Sequence, residues 1–192
     1  MDILFAFLVG IGGDVMKVER ELVAKAALGD KEAFEKLYYS CYKDFYNFAL
    51  YTLGNPDDAA DIVSETFVEI LKGIGNLREP GAFATWAFKI LSVKCKKEIS
   101  NSIKRRGEFD FDELIEMPFS ASEHFEEDIS EKASLAAALS KLDGEERMIL
   151  VLSVLHGYTR REIAEMIGKP QGTVASKLYR TYEKLRKMMN KE

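Results

Sequence analysis

Helical periodicity constrains this chain more than any other feature of its sequence. From Val18 onward, apolar residues recur every three or four positions, and no segment sustains the alternation expected of a β-strand. We expect four helices in the first half: one over 18–28 ended by Gly29, one over about 31–53 capped by Asp30, one capped by Asp57 or Asp58 and ending near 74, and one over about 82–103. The pattern predicts an all-α protein, and 192 residues are enough for two small domains.

Charge is strongly segregated along the sequence, although the net charge is only −5. Residues 89–106 carry seven Lys or Arg and one acid, and residues 158–192 carry nine Lys or Arg and four acids. Between these blocks, residues 107–131 carry ten acids and no Lys or Arg. The acidic total therefore does not argue against nucleic acid as a partner, because two basic blocks stand apart from the acidic one.

These blocks define the expected domains: two small helical domains joined by an acidic linker. We expect an apolar N-terminal extension over 1–16, a helical domain over 17–106, the linker over 107–131 and a second helical domain over 132–192. The simpler interpretation of the linker is a solvated spacer. The alternative is that its acids mimic nucleic acid or sit in a basic channel of a partner. Lying between two basic blocks, they can also screen either one, and we expect them to help hold the free protein compact and poorly DNA-binding.

The first residues require a separate interpretation. The stretch from Ile3 to Ile11 is nearly all apolar but too short to span a bilayer, and Asp2 is unlike the basic start of a signal peptide. Gly12-Gly13-Asp14 can be encoded by a strong ribosome-binding sequence, so we expect a misassigned start and translation from Met16. The alternative is an additional segment that packs on the fold.

Cysteine and histidine are too scarce and too scattered for a metal site. Cys41 and Cys95 are far apart, and His124 and His156 stand outside any ligand-like cluster. The cysteines indicate neither a disulfide framework nor a zinc site, and they fit a reducing cytoplasm. The sequence also contains no paired nucleophile and base and no phosphate loop, so we expect neither an enzyme nor a cofactor.

Residues 158–187 carry the strongest functional signal. A short helix over 160–167, a turn at Gly168 and a longer helix from about Pro170 match a helix-turn-helix. The basic and hydroxyl side chains of the longer helix share an outward-facing arc of roughly 100°, apart from its apolar stripe. Such an arc suits phosphate contacts and base recognition, although a plain solvated surface is the alternative. The predicted DNA contacts here are Gln171, Thr173, Ser176, Lys177, Tyr179, Arg180 and Lys184.

A second helix with segregated faces covers residues 58–74. Its predicted core-facing stripe consists of Ala59, Val63, Phe67, Ile70 and Ile74. The opposite face carries four acids with Ile62 among them, which we expect to be exposed. An acidic row that holds an exposed isoleucine suits docking on a basic protein, although a solvated face is the simpler interpretation. The predicted docking residues are Asp58, Asp61, Ile62, Ser64, Glu65 and Glu69.

The helix over 82–103 is both aromatic and basic. Aromatic rings beside cations can stack on unpaired bases while the cations hold the phosphates of a single strand. Apolar residues nearly encircle this helix, so the alternative that most of its aromatic residues, Trp86 included, belong to the core stays open. The predicted DNA contacts are Phe83, Trp86, Lys89, Lys94 and Lys97.

In this order, the three motifs resemble those of the extracytoplasmic-function sigma factors, over about residues 20–188. The stretch DAADIVSETF (58–67) is similar to the polymerase-binding helix of that family, with Ser64 in place of the usual Gln. The stretch from Phe83 to Cys95, beginning FATW, is similar to the promoter-melting and minus-ten helix. Residues 142–186 are similar to the minus-thirty-five module, particularly at GTV (172–174) and SKL (176–178).

The resemblance implies a cytoplasmic sigma factor that binds core RNA polymerase and directs it to specific promoters. It implies that the first domain binds polymerase and the minus-ten element and that the second binds the minus-thirty-five element. It further implies promoter DNA and an anti-sigma factor as partners, with no membrane insertion of its own. The alternative is a helix-turn-helix regulator that binds a palindrome as a dimer without being a polymerase subunit.

Several residues depart from the pattern of this family. Ser92-Val93 replaces the usual Arg-Asn of the minus-ten helix, and Lys97-Glu98 replaces an acidic-aromatic pair. In the helix-turn-helix, Ala175 stands at a commonly basic position. We therefore expect general promoter binding but not the base preferences of the family.

Overall fold

The structure is a computed structural model that describes residues 16–107 and 139–189, with side chains over 16–104 and 139–187. In these two ranges it contains α-helices, two short 3-10 turns (Ile74–Asn76 and Pro80–Ala82) and no strand, which confirms the all-α prediction. The helices are α1 (Arg20–Ala27), α2 (Lys31–Leu53), α3 (Pro56–Gly73), α4 (Phe83–Gly107), α5 (Gly144–Val154), α6 (Arg160–Ile167) and α7 (Gln171–Met189). The predictions for residues 1–15 and for the acidic linker from residue 108 lie outside the described residues.

Side-chain caps determine where the helices of the first half begin. Asp30 accepts a hydrogen bond of 3.0 Å from a backbone N–H in the first turn of α2, as predicted. The predicted cap of α3 is wrong, because Asn55 and not an aspartate caps it. The side-chain oxygen of Asn55 accepts from the N–H groups of Asp57 at 2.9 Å and Asp58 at 3.1 Å. Pro56 then begins the helix, at a position where an N–H would have no intrahelical partner.

Helices α1 to α4 form one unit around buried aromatic rings. Helix α2 packs on α1, α3 and α4, and α3 also packs on α4. The ring of Phe45 lies 5.3 Å from that of Phe67 and 5.2 Å from that of Phe88, between centroids. Burial of such rings contributes a large share of the hydrophobic free energy of folding. All five residues of the predicted core stripe of α3 are buried, which confirms that prediction.

Helices α5 to α7 form the second unit. Asp143 and Glu146 form a reciprocal capping box at the start of α5, and Thr159 and Glu162 repeat it at the start of α6. Gly168 ends α6 with φ of 66°, in the left-handed region that favours glycine. Helix α7 follows after two residues and packs on both α5 and α6. The predicted short helix, glycine turn and longer helix are all present.

The two helical units pack against each other through an aromatic cluster. Helix α2 contacts α5, and α4 contacts α5 and α6. The ring of Phe88 lies 5.1 Å from that of His156 and 5.4 Å from that of Tyr158. Phe48 of α2 lies 6.3 Å from His156 on the same cluster. The described residues are therefore closed into one body, in which α4 serves as part of both cores.

Two further contacts close the other end of this junction. Lys96 of α4 donates a hydrogen bond to the carbonyl oxygen of Ile167, at the end of α6. Ile99 of α4 lies so close to α5 that a Cβ on Gly144 would be 2.5 Å from its Cδ1. Glycine at this position therefore permits α5 to approach α4 closely.

His156 is the titratable group at the centre of the aromatic cluster. It is 4% exposed, and its Nε2 has no hydrogen-bond partner in the described part of the chain. Burial lowers the pKa of His156 to about 4, because the loss of water disfavours the imidazolium. The closed arrangement therefore contains a neutral histidine at neutral pH.

We expect the chain to lose stability as the pH falls from 7 to 5. In the unfolded chain the pKa of the histidine is about 6.5, so as the pH falls the unfolded state takes up a proton before the folded state does. The stability that the neutral His156 contributes is therefore present above pH 6.5 and is lost as the pH falls towards the folded pKa of about 4. This loss is about 2 kcal/mol between pH 7 and pH 5. Urea unfolding of the wild type and of His156→Phe at both pH values measures it. The variant should lose about 2 kcal/mol less, and equal losses would contradict a buried neutral histidine.

Candidate functional site

The outer face of α3 carries the predicted acidic row. Its acids are Asp58, Asp61, Glu65 and Glu69, of which only Asp58 is half-buried and the other three are exposed. Ser64 is exposed beside them, and its hydroxyl donates to the carbonyl oxygen of Ala60 at 2.9 Å. The row therefore presents several negative charges to solvent on one side of one helix.

The prediction that Ile62 is exposed within this row is wrong. Only 8% of Ile62 is exposed. Thr66, one turn further along, is fully buried and donates to the carbonyl oxygen of Ile62 at 2.7 Å. Ile62 lies at the edge of the apolar stripe, and the packing of both α2 and α4 on α3 widens the buried face beyond that stripe. A helical wheel of α3 alone cannot show which neighbouring helices cover its side chains.

Two other apolar residues of α3 are exposed. Val68 is 50% exposed and Leu71 is 59% exposed. Val68 lies one turn from Ser64 and is three residues from Glu65, so it borders the acidic row. Neither residue was predicted to be part of a docking surface, although both lie outside the core stripe, which indicates exposure. The acidic row together with Val68 and Leu71 is called the α3 face below.

The aromatic residues at the start of α4 belong largely to the core. Phe83 is 1% exposed, so the prediction that it stacks on DNA bases is wrong for this arrangement. Trp86 is half-buried and packs so closely on Gly73 that a Cβ there would lie 3.0 Å from its Cζ2. Phe83 supports the indole from within the core, with a centroid separation of 6.1 Å. Of the two rings, only Trp86 keeps accessible surface beside the lysines of α4.

Exposed lysines follow one side of α4. Lys89, Lys97 and Lys104 are exposed, and their spacing places them within roughly 80° of one another around the helix. Val93, which is 59% exposed, lies among them. We call these four residues the basic stripe. Such a stripe attracts phosphate without regard to sequence, and an exposed apolar side chain within it can contact a base.

Lys94 joins the two surfaces. Its Nζ lies 2.9 Å from Oε2 of Glu65, and its side chain is 19% exposed. A residue predicted to contact DNA is therefore paired with one predicted to contact polymerase. The Glu65 side chain is 63% exposed, so water and salt reach the pair from the carboxylate side.

The predicted DNA contacts of α7 fall on two sides of that helix. The solvent-facing side carries Thr173, Ser176, Tyr179 and Arg180, all exposed, and Gln171 is exposed at the start of the helix. The guanidinium Nε of Arg180 donates to the carbonyl oxygen of Ser176 at 3.3 Å, which directs the side chain along the helix. This side offers amide, hydroxyl and guanidinium groups, which are the usual donors and acceptors in base recognition.

The prediction that Lys177 and Lys184 face outward with these residues is wrong, because both point toward the start of α5. Nζ of Lys177 lies 2.7 Å from Oε2 of Glu145 and 3.5 Å from Oδ2 of Asp143. Nζ of Lys184 lies 2.9 Å from Oε2 of Glu146. Both lysines stand at the edge of the arc nearest the apolar stripe, where α5 packs on α7.

The charges in this cluster reinforce one another. Burial opposes the charge of Lys177, but its hydrogen bonds and ion pairs with Glu145 and Asp143 outweigh burial and raise the pKa of Lys177. The hydrogen bond from Lys177 lowers the pKa of Glu145 in turn, against the effect of its own burial. Both groups are therefore fully charged at neutral pH, and the pair is held by attraction as well as by geometry.

The same two described ranges contain neither a metal cluster nor a membrane span. No group of three or more His, Cys, Asp or Glu there is arranged to hold a metal ion. Cys41 and Cys95 are buried and free, and burial raises the pKa of both thiols. No helix within those ranges is long and apolar enough to cross a bilayer.

Family comparisons match both units of the chain. The description "Sigma-70 region 2" matches residues 37–106, which contain most of α2, all of α3 and nearly all of α4, with the α3 face and the basic stripe. The description "Sigma-70, region 4" matches residues 132–185, which contain α5, α6 and most of α7. The two matches thus follow the two helical units.

Individual relatives match across most of the chain. RNA polymerase sigma factor SigV of Bacillus subtilis is 30% identical over 166 residues, which are 84% of this chain and 96% of that protein. The ECF RNA polymerase sigma factor SigM of Mycobacterium tuberculosis is 24% identical over 181 residues, covering 94% of this chain and 89% of that protein.

Two solved structures share the fold. CnrH in complex with the cytosolic domain of CnrY matches with a TM-score of 0.64 and 24% identity, over 90% of this chain and 97% of that one. The sigma factor RpoE of Bartonella quintana, in complex with the anti-sigma factor NepR, matches with a TM-score of 0.63 and 20% identity, over 82% and 96%.

The burial of Ile62 and the exposure of Val68 predict opposite effects of truncation on stability. Ile62→Ala removes buried methyl groups and should lower the free energy of unfolding by about 2–5 kcal/mol. Val68→Ala, on the surface of the same helix, should change it by less than about 0.5 kcal/mol. Urea unfolding of both variants is the measurement. Two equally small changes would mean that Ile62 lies on the surface after all.

Proposed function

This chain belongs to the extracytoplasmic-function group of RNA polymerase sigma factors, and we propose that its two helical units divide the work of promoter recognition. As a sigma factor it directs RNA polymerase to promoters, as a regulatory subunit of that enzyme. In this proposal the polymerase performs all the chemistry, and the chain acts in the cytoplasm without catalytic activity of its own. One observation carries the proposal: the first unit places an acidic face and a basic stripe on adjacent helices, joined by the pair of Glu65 and Lys94.

The α3 face docks on core polymerase. Its exposed acids supply charge complementarity to a basic protein surface and so favour encounter and orientation. Val68 and Leu71 supply apolar area that can be buried in the same contact. Ile62 contributes from the core, where it holds α3 in place, and does not meet the partner directly.

The basic stripe of α4 holds the minus-ten region of the promoter. Lys89, Lys97 and Lys104 contact the phosphates, and the accessible edge of Trp86 is available to stack on a base once the strands separate. Val93 stands where the family usually has a polar residue, so this position contacts a base through methyl groups instead of hydrogen bonds.

Helix α7 binds the minus-thirty-five element as the second helix of the helix-turn-helix. Its solvent-facing side enters the major groove, where Arg180, Gln171 and Ser176 meet base edges. The lysines on its α5 side lie nearer to where the phosphate backbone would pass. A regulator that acts without polymerase is not favoured, because a sigma-70 region 2 match covers the first unit as well as a region 4 match the helix-turn-helix.

An anti-sigma factor is the partner we propose for the free state. One similar solved structure contains a sigma factor bound to an anti-sigma factor. The closed packing of the two units in this chain leaves the α3 face and the solvent-facing side of α7 exposed. A protein partner that covers either surface would therefore block polymerase or DNA without unfolding the chain.

Reversing the charge of Asp61 and Glu65 to Lys should weaken association with core polymerase by about a hundredfold or more, because it places like charges against a basic partner. Fluorescence anisotropy with labelled chain and purified core enzyme measures the affinity, and circular dichroism checks that helicity is retained. Glu32→Lys with Glu35→Lys is the matched control, since both acids are exposed on α2 and Glu32 also pairs with a lysine. The control should bind as the wild type does. Wild-type affinity of the Asp61 and Glu65 variant would refute docking through the α3 face.

A further inference from the structure

We propose that three acids at the start of α5 act as an internal substitute for DNA phosphate and restrain sequence-independent binding by α7. Asp143, Glu145 and Glu146 are called the acidic clasp. The inference rests on the proposed role of α7 in binding promoter DNA and adds to it a residue set that limits how tightly the helix holds DNA of any sequence. The clasp reduces the phosphate attraction that every DNA sequence shares, while it leaves base recognition unchanged.

The lysines of α7 contact the carboxylates of the clasp as a lysine contacts the phosphate oxygens of DNA, at ion-pair distance. Lys177 reaches two carboxylates at 2.7 and 3.5 Å, and Lys184 reaches a third at 2.9 Å. The two lysines are seven residues apart, so they lie within roughly 20° of each other on α7. Lys169, just before α7, also approaches Glu145 at 3.4 Å. Three lysines on one side of the helix-turn-helix are thus occupied by carboxylate oxygens.

These pairs are less exposed than other ion pairs of the same unit. The exposed fractions of the side chains are 19% for Lys177, 30% for Glu145, 15% for Glu146 and 39% for Lys184, whereas Asp143 at the edge of the clasp is 59% exposed. Arg161 and Glu165, paired at 3.5 Å on the surface of α6, are 81% and 58% exposed. Because water and salt screen a partly buried pair less, the clasp competes with phosphate more effectively than a surface pair does.

The clasp is also fixed in position. Oε2 of Glu146 accepts from the backbone N–H of Asp143 at 2.9 Å as part of the capping box, and the same oxygen accepts from Lys184. Glu146 therefore cannot follow Lys184 toward a phosphate without uncapping α5. DNA must draw the lysine away from a carboxylate that stays in place.

This exchange acts on the part of the binding free energy that specific and non-specific sites share. Phosphate contacts supply essentially all of the non-specific affinity of a DNA-binding protein. The solvent-facing residues of α7, Arg180 among them, are outside the clasp and keep their full contribution to base recognition. The clasp thus weakens binding to all DNA, so that non-promoter DNA, which offers only phosphate contacts, is released while the promoter stays bound through its base contacts.

The test uses the full chain bound to core polymerase and compares a promoter duplex with a non-promoter duplex of equal length. Glu145→Gln with Glu146→Gln removes both charges, and the amide oxygen introduced by the second substitution can still accept the capping hydrogen bond. We expect affinity for the non-promoter duplex to rise about five- to thirtyfold at 0.1 M salt. The slope of log affinity against log salt should become steeper by about one per released lysine. Affinity for the promoter duplex should rise by a similar factor, because the released lysines meet phosphates on either duplex.

The matched control removes two charges from the same unit without opening the clasp. Glu165→Gln with Glu183→Gln does so, since Glu165 is exposed, Glu183 is half-buried, and they pair with Arg161 and Arg186 on their own helices. An equal rise in this control would reduce the effect to net charge and overturn the proposal. Weaker binding by the clasp variant would also overturn it, because the acids would then position the lysines instead of competing for them.

A third variant separates failure of the clasp from failure of the proposed function. Arg180→Ala should lower promoter affinity about tenfold and leave non-promoter affinity nearly unchanged. If Arg180→Ala has no effect on promoter binding, α7 does not recognise the promoter and the proposed function of this unit fails. If Arg180→Ala behaves as expected and the clasp variant behaves as the wild type, only the clasp proposal fails.

Discussion

The ring of Phe88 packs against aromatic residues of both helical units, and the candidate surfaces are positioned through this packing. Within the first unit it lies 5.2 Å from Phe45 and 5.4 Å from Phe48, and across the junction it lies 5.1 Å from His156. Helix α4 is thus buried on the side that carries Phe88. Its opposite side is left for the basic stripe, and its contact with α3 places that stripe beside the acidic face.

Opposite charges are paired within this chain at several residues proposed to meet polymerase or DNA. Glu65 of the α3 face holds Lys94, and the acidic clasp holds Lys177 and Lys184. Each partner must therefore replace an existing ion pair with a new one, so the net gain in binding free energy is smaller than the number of new contacts suggests. A DNA-binding subunit must leave most of the genome unbound. The cost of breaking an internal ion pair helps it to do so, because only a partner that also makes shape-specific contacts offsets that cost.

Local signals predicted much of the fold and of the site. Asp30, Gly168 and the core stripe of α3 follow from capping, turn and periodicity rules that act within a few residues. What escaped prediction depends on other helices: Ile62 is covered by neighbours of α3, and Lys177 turns to acids 32 and 34 residues earlier in the chain. A helical wheel gives the direction in which a side chain points but not which residues of other helices lie in that direction. The junction at His156 was likewise invisible, because its partners come from three separate segments.

Run-off transcription tests the central claim, that this chain directs core RNA polymerase to promoters, most directly. Core enzyme is incubated with genomic fragments of the source organism, with and without the purified chain, and the transcripts are mapped. The account predicts discrete transcripts that require the chain and whose start sites share two upstream sequence elements. The same transcripts with and without the chain would contradict it, as would protection of a palindromic site by the chain in the absence of polymerase.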